Sequence, residues 1–183
     1  MKELLYVIGV PGAGKTTLID ALLDGVPYEL CSKPFEHRQY PGGVVLGGLR
    51  GTDTLGMSVQ PLVLQWLDKT PAEVVLGEGD RLGNGSFFRA VQTLGWTLCI
   101  YHLDTPEHLA VQRRVERGSN QDPVWMKGRR TKVRELAATG LFEVGAPVHR
   151  IRLNGAEPVA GLVWQLRQNE AVMALRGEGL AVP

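Results

Sequence analysis

Glycine, lysine and threonine spaced as G-x-x-x-x-G-K-T occupy positions 9 to 16, in the run GVPGAGKT. That combination serves one kind of chemistry. Gly9, Gly12 and Gly14 let the backbone curl until consecutive N–H groups face an anion, and a helix starting there adds the positive end of its dipole. Pro11, Ala13 and Thr17 complete the binding set. The Lys15 ammonium would reach the β- and γ-phosphates, and the Thr16 hydroxyl would ligate Mg²⁺. The expected ligand is the triphosphate end of a nucleotide.

Two further groups of residues suit phosphoryl chemistry. The apolar run VVLGEGDR ends in Glu78 and Asp80. In extended chain, residues two apart point the same way, so both carboxylates would project toward the phosphate loop. One would hold the Mg²⁺ shell and the other would accept a proton from an attacking hydroxyl. Arg81 beside them would steer an anionic substrate or cap a carboxylate. The second group lies between Gln112 and Arg134. It holds Arg113, Arg114, Arg117, Lys127, Arg129, Arg130, Lys132 and Arg134 against only Glu116 and Asp122. Arg113 and Arg117 share a helix face, as do Arg130 and Arg134. Gly118 and Pro123 flank a polar stretch between the two basic helices. Helix, polar stretch and helix read as a lid over about 118–128, closing arginines over transferring phosphates. Arg113 and Arg117 are the first candidates, then Arg129 and Arg130. Arg114 and Lys132 read as solvated.

The elements that must position these groups alternate. LLYVIGV is a β-branched, apolar strand leading into the loop, and TTLIDALLDG is a helix that stops at Gly25. YELCS is a candidate second strand. Residues 33–58 carry too many glycines for a helix and hold one strand-like piece, VVLGGL. SVQPLVLQWLDKT reads as a helix capped by Ser58, with Pro61 in its first turn. AEVVLGEGDR is a buried strand, NGSFFRAVQTLG a helix and WTLCIYHLD a strand. TPEHLAVQRRVERG is a helix capped by Thr105. KGRRTKVRELAATG is a helix, VHRIRL a last strand, and EPVAGLVWQLRQNEAVMAL a last helix. Strands separated by helices imply an α/β domain with a parallel sheet and ligands at the carboxyl ends of its strands.

The 183 residues suit one domain, 1–183. A net charge of +1 predicts no bulk attraction to nucleic acid and leaves room for a local basic surface. Cys31 and Cys99 lack metal-ligand spacing and suit a reducing cytoplasm. No signal peptide and no membrane-spanning apolar run is read.

Together these residues resemble the P-loop nucleoside and nucleotide kinase family, over nearly the whole chain. The resemblance implies a three-layer P-loop NTPase fold, with a five-stranded parallel sheet in order 2-3-1-4-5, helices on both faces and a lid. It implies ATP and Mg²⁺. The adenine would lie between Arg113 or Arg117 and the turn at Asn154 to Pro158. The base or metal ligand would be Glu78 or Asp80. Family members show a single Glu or Asp followed by Arg, where this chain has GEGDR, so the choice between the two stays open.

In this family residues 33–58 would bind the acceptor. His37 stands among the candidates. Arg38 and Arg50 would pair with phosphate, Tyr40 would stack on a base, and Asp53 would accept hydrogen bonds from a ring or sugar. That segment, with GEGDRLGN, resembles small phage-encoded P-loop kinases acting on 5-hydroxymethyluracil in DNA, a step in thymidine hypermodification. The acceptor would then be a primary hydroxyl on a base in a polynucleotide, in the host cytoplasm. A free nucleoside or nucleoside monophosphate is the alternative small acceptor. A ring-forming ATPase would need an Asp-Glu strand end and a second helical domain. A GTPase would need N-K-x-D, which is absent. A nucleotide-binding ATPase or regulatory protein without an acceptor is the alternative of another class.

Overall fold

Alternation along β1 (Glu3–Ile8) divides the molecule into two apolar layers. Leu4, Tyr6 and Ile8 face one side, and Leu5 and Val7 the other. A computed structural model describes residues 2–119, 121–140, 148–151, 163 and 166–178. In chain order the elements after β1 are α1 (Lys15–Leu22), β2 (Glu29–Cys31), β3 (His37–Tyr40), β4 (Gly43–Leu46) and a 3₁₀ turn (Thr52–Thr54). Then come α2 (Gln60–Lys69), β5 (Val74–Glu78), α3 (Gly85–Thr93), β6 (Thr97–Leu103) and α4 (Glu107–Glu116). Last are α5 (Pro123–Glu135), a π-helical turn (Leu136–Gly140), β7 (Val148–Ile151) and α6 (Glu170–Leu175).

The sheet runs β2-β3-β4-β5-β1-β6-β7. It is a mixed, seven-stranded sheet where the sequence predicts five parallel strands. Strands β4, β5, β1, β6 and β7 pair in parallel, and their order reads 2-3-1-4-5 when they alone are numbered. The difference is the edge, where β2 pairs antiparallel with β3 and β3 antiparallel with β4. YELCS is therefore a short hairpin strand and not a crossover strand. On one face α2 and α3 supply Val63, Leu67, Phe87, Phe88 and Val91 to a core with Leu4 and Tyr6. On the other, α1 and α6 supply Leu18, Ile19, Leu22, Val172 and Leu175. Burying side chains of this size contributes about 1.5–3 kcal/mol each. The packed sheet and helices therefore form a rigid frame for the loops at the carboxyl end of β1.

Several helix ends differ from the sequence reading. Val59, and not Ser58, stands at the N-cap of α2, with no side-chain cap. Pro106 precedes α4, and the Thr105 hydroxyl instead donates to the Ala13 carbonyl at 3.0 Å. It ties the phosphate loop to the β6–α4 turn. Helix α5 begins at Pro123, where the Asp122 carboxylate accepts from the Val124 and Trp125 N–H groups. The non-helical part of the expected lid is thus shorter than 118–128. The last helix is interrupted at Asn169, whose side chain caps α6. Asn154 and Pro158, expected beside adenine, lie outside the described residues. Among the described residues no helix is long and apolar enough to cross a membrane.

Candidate functional site

The phosphate loop leaves β1 and turns into α1 through Gly12 and Gly14, both at positive φ (89° and 95°). Lys15 is buried, and its Nζ donates to the Gly9 carbonyl at 3.0 Å and the Val10 carbonyl at 3.4 Å. The ammonium is thereby folded over the mouth of the loop. One residue on, the Thr16 hydroxyl donates to Glu78 Oε1 at 2.7 Å. Glu78 ends β5 beside β1 and is 2 % exposed. Burial pushes its carboxyl above the usual range, while the Lys15 charge and the Thr16 hydrogen bond pull it back down. Asp53 adds a further upward push and Arg38 a downward one.

A network fixes this corner. The Thr52 hydroxyl, fully buried, donates to the Glu78 carbonyl at 2.8 Å. Tyr6 Oη donates to the Gly79 carbonyl at 2.9 Å and lies 3.1 Å from Thr52 Oγ1. The glycine-rich segment is thus docked against the end of β5. Gly51 makes the docking possible. Its φ of 60° and ψ of −150° suit glycine alone, and a β-carbon built there lands on the Glu78 carboxylate. Gly51→Ala is expected to destabilise the fold by about 2–4 kcal/mol, from backbone strain and overpacking. Urea unfolding measures this. An unchanged midpoint with unchanged slope would contradict the packing described.

Gly79 separates the two carboxylates. Its φ of 110° ends the strand alternation, so Glu78 and Asp80 do not share a pocket. The expectation that both project toward the phosphate loop is corrected. Glu78 lines a pocket of about 700 Å³ with Gly12, Gly14, Lys15, Thr16 and Thr17. Asp80 lines a neighbouring pocket of about 400 Å³. There it sits 3.6 Å from Arg129 Nε, and its carbonyl accepts from Lys132 Nζ at 3.1 Å.

The arginines divide in the same way. Arg117 lines the phosphate pocket, its Nε donating to the Arg113 carbonyl at 3.1 Å. Arg113 reaches the loop itself, its Nη1 3.5 Å from the Ala13 carbonyl. Arg114, read as solvated, lines the phosphate pocket too. Its three-residue spacing from Arg117 was the available signal. Lys132, also read as solvated, is half-buried against Asp80, and burial lowers its pKa. Arg81 and Arg129 line the pocket of Asp80, and Arg129 lies 4.7 Å from the centre of the Trp125 ring. Arg130 pairs with Glu107 and lines a third pocket of about 540 Å³, floored by Met126, Val133 and Ala137. That takes it out of the phosphate pocket.

The acceptor candidates also separate. Arg50 and Asp53 line the phosphate pocket. His37 is buried, with Nδ1 2.8 Å from the Phe35 carbonyl and its ring against Phe35 and Trp66. Tyr40 is buried against Tyr28. Arg38 is buried, 3.3 Å from Asp20 on α1 and stacked over Tyr28. These three belong to β3, and in sequence that strand is hidden because its polar residues read as loop. Arg38 bears on the site through its charge near Glu78.

A sequence-family model described as P-loop Nucleotide Kinase3 matches residues 1–152. No curated protein matches the chain significantly. Among solved structures, an unliganded sugar kinase from a Janibacter species superposes with a TM-score of 0.50 at 14% identity, covering 91% of this chain and 93% of that one. A provisionally named kinase from Chloroflexus aurantiacus gives 0.46 at 16% identity, covering 91% and 94%. At 14% identity the likeness to the sugar kinase concerns the fold alone.

Proposed function

We propose that this chain, which belongs to the P-loop Nucleotide Kinase3 family, is an ATP- and Mg²⁺-dependent kinase whose acceptor is the hydroxyl of 5-hydroxymethyluracil in DNA. The observation that carries the kinase reading is the 2.7 Å contact between Thr16 and the buried Glu78, set beside Lys15 in one pocket with Arg114 and Arg117. Two hard oxygen donors beside a phosphate loop fit Mg²⁺, which one or two protein oxygens hold together with phosphates. Among the described residues no larger cluster suited to a metal stands in competition. When bound, Mg²⁺ neutralises charge on the phosphates.

The chain's own residues supply the rest. The loop N–H groups and Lys15 hold the β- and γ-phosphates. Arg113 and Arg117, at the root of the α4–α5 connection, stabilise charge as the γ-phosphoryl moves. Ser119 and Gln121 from that connection line the same pocket, which supports a lid that closes over it and excludes water. For the acceptor, support comes from the resemblance of residues 33–58 and GEGDRLGN to the phage kinases. It comes also from a neighbouring pocket holding Trp125 with Arg81 and Arg129, an aromatic surface with cations. The family description favours a second reading, in which the acceptor is a free nucleoside or nucleoside monophosphate.

A panel decides between them. Transfer of γ-label is measured to single-stranded DNA with and without 5-hydroxymethyluracil, to nucleosides and to nucleoside monophosphates. The DNA reading predicts label only in the modified polymer, falling steeply with added salt because polymer phosphate contacts release counterions. Salt-insensitive label in a monomer would select the second reading. Label in free phosphate alone would select an ATPase or regulatory protein.

A further inference from the structure

The phosphate pocket and the pocket of Asp80 have two lining residues in common among the described residues, Asp53 and Gln121. Only Asp53 carries a group able to take a proton. It stands in the 3₁₀ turn beside the buried Thr52, which is anchored to the Glu78 carbonyl. Its Oδ1 accepts from the Asp80 N–H at 2.8 Å and the Arg81 N–H at 3.3 Å. Two backbone donors thus fix one carboxylate oxygen, and the side chain is exposed where it lines both pockets. The remaining carboxylates are committed. Glu78 accepts from Thr16, and Asp80 faces Arg129.

We propose that Asp53 is the general base, taking the proton of an acceptor hydroxyl presented from the pocket formed by Arg81, Asn84, Trp125, Arg129 and Lys132. The acceptor ring lies against Trp125, which is 39% exposed, and an anionic group of the acceptor meets Arg81 and Arg129. Arg81 Nε is buried with no hydrogen-bond partner among the described residues, and its Nη1 lies against Met57 Sδ. In the step, the acceptor oxygen bonds to the γ-phosphorus while its proton passes to Asp53. The bond from the γ-phosphorus to the bridging oxygen breaks, and ADP leaves with the electron pair. Asp53 then releases the proton to water. Being held through its own turn, Asp53 needs no reorganisation to act.

The inference rests on the kinase reading. Its test uses the full chain with ATP and a single-stranded oligonucleotide carrying 5-hydroxymethyluracil, with the free nucleoside as a second probe. Asp53→Asn keeps an oxygen for the two backbone donors and removes the base. It is expected to lower kcat by about 10²–10⁴-fold with ATP KM unchanged. The gap should narrow with an acceptor whose hydroxyl is made more acidic by adjacent fluorine. Trp125→Ala is expected to raise acceptor KM and to spare ATP KM. An Asp53→Asn variant with near-normal kcat would overturn the assignment and leave the kinase reading standing. So would a loss of kcat that is the same for ordinary and acidified acceptors. No transfer to either probe by the wild-type chain would overturn both.

Discussion

Lys15→Met is expected to leave a folded protein in which phosphoryl transfer falls by about 10³-fold or more. The Lys15 stem is buried and its ammonium lies over the Gly9 and Val10 carbonyls. Methionine fills the stem's volume without the charge. The fold therefore survives, since the packing of α1 rests on Leu18, Ile19 and Leu22. What disappears is a cation acting on charge that develops as the γ-phosphoryl moves, so kcat suffers more than nucleotide affinity. Circular dichroism and single-turnover transfer measure the two halves separately. A folded variant with near-normal turnover would remove the phosphate loop from the chemistry.

Glu78→Gln is expected to lower kcat by about 10²–10³-fold, to raise the Mg²⁺ requirement and to leave stability equal or higher. The sign of the stability effect follows from burial. Burial raises the Glu78 carboxyl in the folded state, so folding favours its protonated form. That contribution is fully present below the unfolded carboxyl's pKa and is lost as pH rises through the folded one. Above that pKa the wild type carries a buried charge that the amide lacks. The variant's advantage in melting temperature should grow from acid toward neutral pH. A variant less stable than wild type at neutral pH and equally active would contradict both roles given to Glu78.

The phosphate loop and its flanks were legible because their geometry is local. A β-branched strand, three glycines and an amphipathic helix leave the chain one way to run. Four of the five parallel strands, β1, β5, β6 and β7, were legible for a similar reason, since each is a short apolar or alternating run beside a helix; the fifth, β4, was read only as the strand-like piece VVLGGL, and its place in the parallel order was given to YELCS. The β2–β3 hairpin was not legible. The polar residues of HRQY give no strand pattern, and its order comes from Arg38 stacking on Tyr28, Tyr40 packing against Tyr28, and His37 packing against Trp66. Those are contacts between residues distant in sequence. Glu78 and Asp80 were read as a pair because strand alternation was carried through Gly79. Its positive φ breaks the alternation and turns Asp80 toward α5. Asp53 was legible as a candidate. Its place between two pockets arises from the docking of Thr52 on the end of β5, which no spacing encodes.

The central claim is transfer to an acceptor hydroxyl. The most direct measurement is mass spectrometry of the hydroxymethyluracil oligonucleotide after incubation with the chain, ATP and Mg²⁺. A single added phosphoryl group on the modified base is expected with the wild type, and none with Lys15→Met. Conversion of ATP to ADP and free phosphate at one rate with or without every acceptor tried, and no mass gain on any of them, would contradict it.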